Sequence, residues 1–136
     1  MPVFSRSVSM QIVEVPLAKL NSLGAVTPDR PRSRIAEEYR MIKRPLIANI
    51  EGAGAAVVPN ANLIMVTSAL SGEGKTFTAI NLAMSISMEE DRTVLLVDGD
   101  MAKANAGALL GVAEDARGLI DVLEHDDIGI EDVLLH

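Results

Sequence analysis

The stretch SALSGEGKT, residues 68–76, lies between a short apolar run and a segment with helical periodicity. The apolar run before it, residues 62–67, has the length and composition of a strand that is covered on both faces. The segment that follows, from Lys75 onward, repeats apolar residues at helical spacing. A turn explains Gly72 and Gly74, but it does not explain a lysine and a threonine placed directly after them.

A strand that runs through a glycine loop into a helix forms an anion site, because backbone N–H groups converge and the helix dipole favours negative charge. The usual phosphate-loop pattern is G-x-x-x-x-G-K-[ST], and here Ala69 stands at the first glycine position. The pattern predicts that Lys75 reaches the β- and γ-phosphates of a nucleotide and that Thr76 binds Mg²⁺. A plain strand-to-helix turn is the alternative, and the strand and helix context disfavours it. The residues predicted to contact nucleotide are Ser71, Gly72, Glu73, Gly74, Lys75, Thr76 and Phe77.

A second apolar run, TVLLV at residues 93–97, ends in the sequence DGD. Asp98 and Asp100 would therefore lie at the carboxyl end of a buried strand, where ligands bind in doubly wound sheets. Two carboxylates there can hold Mg²⁺ through waters, or accept a proton from an attacking hydroxyl. A polar loop is the alternative, and it would be preferred if no phosphate loop lay upstream.

The order of these segments predicts an α/β fold of the P-loop NTPase type, with a parallel sheet flanked by helices. Residues 34–50 form a predicted amphipathic helix with Ser33 as N-cap, and Pro45 should kink or interrupt it. Further helices are expected from Lys75 to Met88 and around 119–124. The stripe of the first helix consists of Ile35, Tyr39, Ile42, Leu46 and Ile50. We divide the chain into an irregular arm (1–33), an oligomerisation-type helix (34–50) and the front of a nucleotide-binding domain (51–136).

Composition excludes several classes of protein. Nearly half of the 136 residues are apolar, and the absence of cysteine excludes disulfides and thiolate metal sites. The net charge is -7, with a balance of +4 over residues 1–44 and -11 over residues 45–136. The acidic majority argues against a nucleic-acid groove, and the basic front is read as a solvated tail. The uncharged stretch 52–72 contains Pro59 and two asparagines, which favours a loop and a strand over a membrane span.

With both motifs placed, residues 34–136 resemble the bacterial P-loop tyrosine kinases of exopolysaccharide synthesis, the BY-kinases. The branch at exosortase (PEP-CTERM) loci is the most similar. Three features carry the resemblance: the loop SALSGEGKT with the helix behind it, the stretch VLLVDGDMAKANAGALLGV, and EEYRMIK. The second is similar to the family's second Walker-type motif, and the third is similar to its E-x-x-R-x-x-R oligomerisation helix.

The resemblance implies a protein-tyrosine autokinase that uses ATP and Mg²⁺ and regulates exopolysaccharide synthesis or export. It implies a cytoplasmic homo-oligomer that acts beside a membrane chain-length protein (a polysaccharide co-polymerase), and so at the inner membrane through that partner. By position, Lys75, Asp98 and Asp100 would be catalytic, and Thr76 would hold the metal with the two aspartates. Glu37, Arg40 and Lys43 would pair with a neighbouring subunit, although spacing alone would favour a solvated helix face.

The chain departs from the family pattern at several positions. Lys43 stands where arginine is usual, which removes a bidentate contact. Gly99 replaces a common alanine, and Ala102 replaces the arginine of D-x-D-x-R. The third Walker-type motif and the tyrosine-rich tail are absent, and Tyr39 is the one tyrosine. We therefore expect the front part of a kinase domain, with an incomplete sheet.

Two other functions remain open. Partition and division-site ATPases carry a signature lysine five residues before the conserved lysine, and here that position is Leu70. The chain can also be a catalytically inactive nucleotide-binding module that acts through its helix at residues 34–50.

Overall fold

The computed structural model describes residues 11–100 and 103–136, and these form two compact units. The central unit is Leu17–Ala106, and the terminal unit combines residues 11–16 with Gly107–His136. In chain order the α-helices are α1 (Leu17–Ser22), α2 (Arg34–Ile50), α3 (Lys75–Ser87), α4 (Ala106–Leu110) and α5 (Leu119–Glu124), followed by a 3-10 turn at Ile130–Asp132.

Helix α2 has the bounds that the sequence predicts, and its start is capped as expected. The hydroxyl of Ser33 accepts a hydrogen bond from the backbone N–H of Ala36 at 3.3 Å. Glu37 places negative charge in the first turn, where the helix dipole favours it. Pro45 lies inside the helix but does not end it, because α2 continues to Ile50. The helix is therefore not interrupted at Pro45, and a kink there stays a prediction.

The core of the central unit lies between α2, α3 and the segment that joins α1 to α2. Its single tyrosine, Tyr39, is only 7% exposed. Each fully buried side chain of this size contributes about 1.5–3 kcal/mol. The buried cluster consists of Val26, Ala36, Tyr39, Leu82 and Ile86, with Ile35, Leu46, Met84 and Met88 packed against it.

A buried side-chain amide joins α3 to the segment between α1 and α2. Asn81 is fully buried, and its Oδ1 accepts a hydrogen bond from the backbone N–H of Val26 at 2.5 Å. Its Nδ2 donates to the carbonyl of Phe77 at 2.8 Å. The segment that joins α1 to α2 is buried from Ala25 to Thr27. The region expected to be an irregular arm thus contains helix α1 and part of the core.

A buried lysine joins α2 to α3. Lys43 is 5% exposed, and its Nζ donates to the carbonyl of Ser85 at 2.5 Å and pairs with Glu89 Oε1 at 2.5 Å. Ile42, which the sequence placed in the apolar stripe, is 48% exposed instead. The buried line of α2 therefore runs through Ala36, Tyr39 and Lys43, and the prediction for Ile42 is wrong.

The two predicted strands are not strands in the described residues. Residues 62–67 and 93–97 carry no helix or strand, and most of their apolar residues are exposed, to 84% at Met65 and 69% at Leu95. A buried parallel strand needs a hydrogen-bonded neighbour on each side. Neither run has such a neighbour in the parts of the chain that the structure describes, so the parallel sheet stays a prediction.

The terminal unit contains one parallel β-bridge, between Gln11 and Leu135. The backbone N–H of Val13 donates to the carbonyl of His136 at 2.7 Å, and His136 N–H returns a bond to Gln11 at 2.8 Å. Helix α5 has the predicted bounds. The carboxylate of Asp121 accepts a hydrogen bond from the backbone N–H of its N-cap residue, Gly118, at 2.7 Å. Among the described helices, none has the length and apolar content needed to cross a membrane.

We predict that Asn81→Leu lowers the free energy of unfolding by about 1–3 kcal/mol, because the buried N–H of Val26 loses its acceptor. Urea denaturation measures this change. Ser87→Ala is the matched control on the same helix, since its exposed hydroxyl bonds only to the carbonyl of Met84. The control should stay within about 0.5 kcal/mol of the wild type. Equal losses in the two variants would contradict the prediction.

The Lys43–Glu89 pair predicts a pH dependence of stability. A hydrogen bond from Lys43, and then its charge, lower the pKa of Glu89 below the ordinary value of 4.5. The stabilisation is therefore present above about pH 4.5 and is lost as the pH falls through the folded-state pKa. Below pH 4.5, the free energy of unfolding should fall more steeply in the wild type than in Glu89→Gln. Glu90→Gln, at the exposed neighbouring position, should keep the wild-type slope, and three equal slopes would refute the assignment.

Candidate nucleotide-binding site

The glycine loop lies directly before α3, the 13-residue helix of the central unit. Gly72 and Gly74 have φ angles of +86° and +89°, and Gly74 is the N-cap residue of α3. Side chains other than glycine rarely adopt this left-handed conformation, because Cβ meets the following carbonyl oxygen. The backbone therefore requires glycine at both positions, in addition to the sequence pattern.

The lysine of the motif folds back over the start of the loop. Lys75 is half-buried, and its Nζ donates to the hydroxyl of Ser68 at 3.1 Å. That hydroxyl donates in turn to the carbonyl of Leu70 at 2.9 Å. Thr76 is half-buried, and among the described residues its hydroxyl has no hydrogen-bond partner. The ammonium and the threonine hydroxyl thus follow each other at the first turn of α3.

The carboxylate of Glu73 also turns back into the loop. Its Oε2 accepts a hydrogen bond from the backbone N–H of Leu70 at 3.0 Å. That bond is the largest effect and lowers the pKa of Glu73; desolvation opposes it, and the nearby polar groups of Ser68 and Ala69 and the charge of Lys75 lower the pKa further. The motif leaves this position undefined, so the pattern contained no signal for the contact.

The two aspartates accept hydrogen bonds from backbone N–H groups that follow them in the chain. Asp98 Oδ1 accepts the backbone N–H of Asp100 at 3.1 Å, and Oδ2 accepts the N–H of Ala106 at 3.0 Å. Asp100 Oδ1 accepts the N–H of Lys103 at 3.0 Å. Sequence reasoning missed the bond to Ala106, because it links residues eight positions apart and follows no local motif.

The structure brings the loop residues into contact with one another, but it gives no link between them and the aspartates. No hydrogen bond or ion pair joins the two groups within the described residues. The same residues contain no cluster of three or more histidine, aspartate or glutamate side chains that would hold a metal ion. The metal role of Asp98 and Asp100 therefore stays a prediction.

The predicted interface residues do not share one face of α2. Glu37 and Arg40 pair with each other at 2.6 Å, and Arg40 also donates to the carbonyl of Pro31 at 3.4 Å. Lys43 is turned toward α3. Each step of three residues rotates a helix position by about 60°, so Lys43 lies about 120° from Glu37. The interface role of the three residues stays a prediction.

The loop fits the phosphates of a nucleotide. It combines a helix N-terminus, two glycines with left-handed backbone and one ammonium group. Mg²⁺ requires oxygen ligands. Thr76 offers a hydroxyl without a protein partner in the described residues, and Asp100 offers a carboxylate oxygen in the same state. These side chains are the ones that would hold the ion together with Asp98.

Comparison with known proteins identifies the family. The CobQ/CobB/MinD/ParA nucleotide binding domain matches residues 64–132, which is half of the chain. The chain therefore belongs to this family of P-loop nucleotide-binding domains. No solved structure matches the chain.

Three relatives illustrate the range of functions within this likeness. The tyrosine-protein kinase YwqD of Bacillus subtilis is 38% identical over 93 residues, which cover 68% of this chain and 36% of the relative. The tyrosine-protein kinase wzc of Salmonella typhi is 45% identical over 62 residues, covering 46% of this chain and 8% of the relative. The chromosome partitioning protein ParA of Myxococcus xanthus is 49% identical over 53 residues, covering 39% and 18%. The chain thus spans about a third or less of each relative's length.

Proposed function

We propose that the chain is the nucleotide-binding part of a protein-tyrosine autokinase that regulates exopolysaccharide synthesis or export. The observation that carries the proposal is the loop at the start of α3, with Lys75 and Thr76 placed after two left-handed glycines. Likeness to relatives named tyrosine-protein kinases supports the reaction class. Membership of the exosortase-linked branch remains a prediction from the sequence.

The proposed reaction transfers the γ-phosphoryl group of ATP to the phenolic oxygen of a tyrosine. The bond between that phosphorus and the ADP oxygen breaks, and the phenol proton goes to a carboxylate, for which Asp98 and Asp100 are the candidates. Lys75 neutralises charge on the β- and γ-phosphates. Mg²⁺, bound through Thr76 and the aspartates, would screen the remaining phosphate charge.

The acceptor tyrosine comes from another polypeptide or from sequence outside this chain. Tyr39 is 7% exposed and belongs to the core, so its hydroxyl is not presented to a kinase site in the folded state. We further propose self-association through the exposed side of α2, with Glu37 and Arg40 facing the neighbouring copy. Lys43 is already paired within its own chain. A membrane polysaccharide co-polymerase remains the proposed partner, with peripheral attachment at the inner membrane.

A partition-type ATPase is the second candidate, supported by the likeness to ParA and by the family description, which names ParA. Leu70 weighs against it, because those loops carry a signature lysine at this position. The two candidates differ in products. A kinase yields phosphotyrosine, whereas a partition ATPase releases inorganic phosphate when DNA or lipid is added.

We predict that Mg·ADP stabilises the wild type and does not stabilise Lys75→Ala. At a ligand concentration of one hundred times Kd the gain is about 2.7 kcal/mol, which raises the melting temperature by several degrees. Thermal unfolding with and without Mg·ADP measures the shift. Lys103→Ala removes the same charge at an exposed position and should shift like the wild type. An unchanged melting temperature in the wild type would overturn the assignment of the loop.

We also predict that the chain, incubated with Mg·ATP and a glutamate–tyrosine copolymer, labels the copolymer and leaves Tyr39 unlabelled. Mass spectrometry locates the phosphate. Asp98→Asn should lower the rate by about a hundredfold or more, since removal of one acid–base group typically costs 10²–10⁴-fold. DNA-stimulated release of phosphate without phosphotyrosine would favour the partition-type ATPase instead.

A further inference from the structure

The side chain of Glu73 closes the front half of the glycine loop. It lies between Gly72 and Gly74, and the left-handed backbone on both sides turns it back toward the start of the loop. There its Oε2 accepts the backbone N–H of Leu70 at 3.0 Å. The contact spans three residues and links the two ends of the turn.

Electrostatics favour the charged form of this carboxylate. Glu73 directly precedes the N-cap residue of α3, where the helix dipole stabilises negative charge. The N–H of Leu70 lowers its pKa, with smaller effects from Ser68, Ala69 and Lys75. The carboxylate is therefore ionised at neutral pH, and an ionised acceptor makes a stronger hydrogen bond than a neutral one.

The other charged side chain of the loop, that of Lys75, also supports this segment through Ser68. Lys75 donates to Ser68, and the Ser68 hydroxyl donates to the carbonyl of Leu70. The N–H of Leu70 is held by Glu73 and its C=O by Ser68. Both polar groups of this exposed peptide segment are thus fixed by side chains from within the loop.

We propose that Glu73 is a positioning residue of the phosphate loop, whose carboxylate holds Leu70 so that the empty loop keeps the shape that receives phosphate. The proposal rests on nucleotide binding as the function of the loop. A loop that is ordered before the ligand arrives loses less conformational entropy on binding, and its affinity is higher. With its carboxylate engaged by Leu70, Glu73 would contact a nucleotide through its backbone alone.

The opposing hypothesis is that the carboxylate repels phosphate and weakens binding. The two ideas predict opposite signs for the same variants. A positioning role requires an acceptor at residue 73, and the charge itself is secondary. A repulsive role requires the charge, so any neutral side chain would tighten nucleotide binding.

The test compares Glu73→Ala, Glu73→Gln and the control Glu90→Ala in the full chain. Isothermal titration calorimetry measures Mg·ADP affinity, and amide hydrogen exchange by NMR measures protection of Leu70 without nucleotide. We expect Glu73→Ala to weaken ADP binding fivefold to tenfold and to speed Leu70 exchange by about fivefold, roughly the effect of one lost hydrogen bond. Glu73→Gln keeps an acceptor and should stay within about threefold of the wild type on both measures. Glu90 is exposed in the turn that follows α3, and its substitution should leave both measures unchanged.

Tighter binding by both Glu73 variants would overturn the proposal in favour of repulsion. Unchanged ADP affinity and Leu70 exchange in Glu73→Ala would overturn it as well. If the wild type binds no ADP, the proposed function fails, yet the exchange data still decide the positioning role. Protection of Leu70 that is lost only in Glu73→Ala supports that role, and an unprotected Leu70 in the wild type refutes it.

Discussion

The buried polar contacts of α3 are the constraint on which the rest of the central unit depends. Asn81 binds the backbone of Val26, and the carbonyl of Ser85 receives the ammonium of Lys43. Because α3 begins at Lys75, the helix that carries the glycine loop is the same helix that makes these contacts. A buried polar group without its partner costs more free energy than the bond itself contributes, so alternative packings of α3 are disfavoured. Helix α3, at whose start the loop lies, is thereby fixed against α2 and the segment before it.

Local signals in the sequence were sufficient for α2, α3 and α5, whereas α1 and α4 were not predicted. The N-cap at Ser33 and the helical spacing of apolar residues predicted the bounds of α2, and α5 was predicted equally well. The face that α2 buries was less predictable. Any hydrophobic pattern predicts that a lysine is exposed. Lys43 is buried because the carbonyl of Ser85 and the carboxylate of Glu89, both distant in sequence, pair with its ammonium. Because Lys43 takes the buried position, the neighbouring Ile42 is exposed.

In the site, too, the parts that a local motif determines could be predicted, and the contacts that depend on the wider backbone path could not. The glycine loop and its lysine follow from a motif that encodes backbone geometry, so their placement before α3 could be predicted. The contact of Glu73 with Leu70 and that of Asp98 with Ala106 depend on the path of the backbone, which the motif does not specify. The apolar runs at 62–67 and 93–97 satisfy the pattern of buried strands. A strand also needs neighbours, and composition alone does not supply them.

The charge of the loop bears on how it would discriminate between ligands. Residues 68–76 contain one cation, Lys75, and one anion, Glu73, so the side chains of the loop sum to zero. The backbone of Leu70 is hydrogen-bonded to Ser68 and Glu73. Leu70 is 68% exposed, and its side chain carries no charge, whereas partition-type ATPases have a lysine at this position. A polyphosphate would therefore be held chiefly by backbone N–H groups, the helix dipole and Mg²⁺. Recognition of that kind depends on loop shape more than on net charge, so the contacts that maintain the shape matter as much as the lysine.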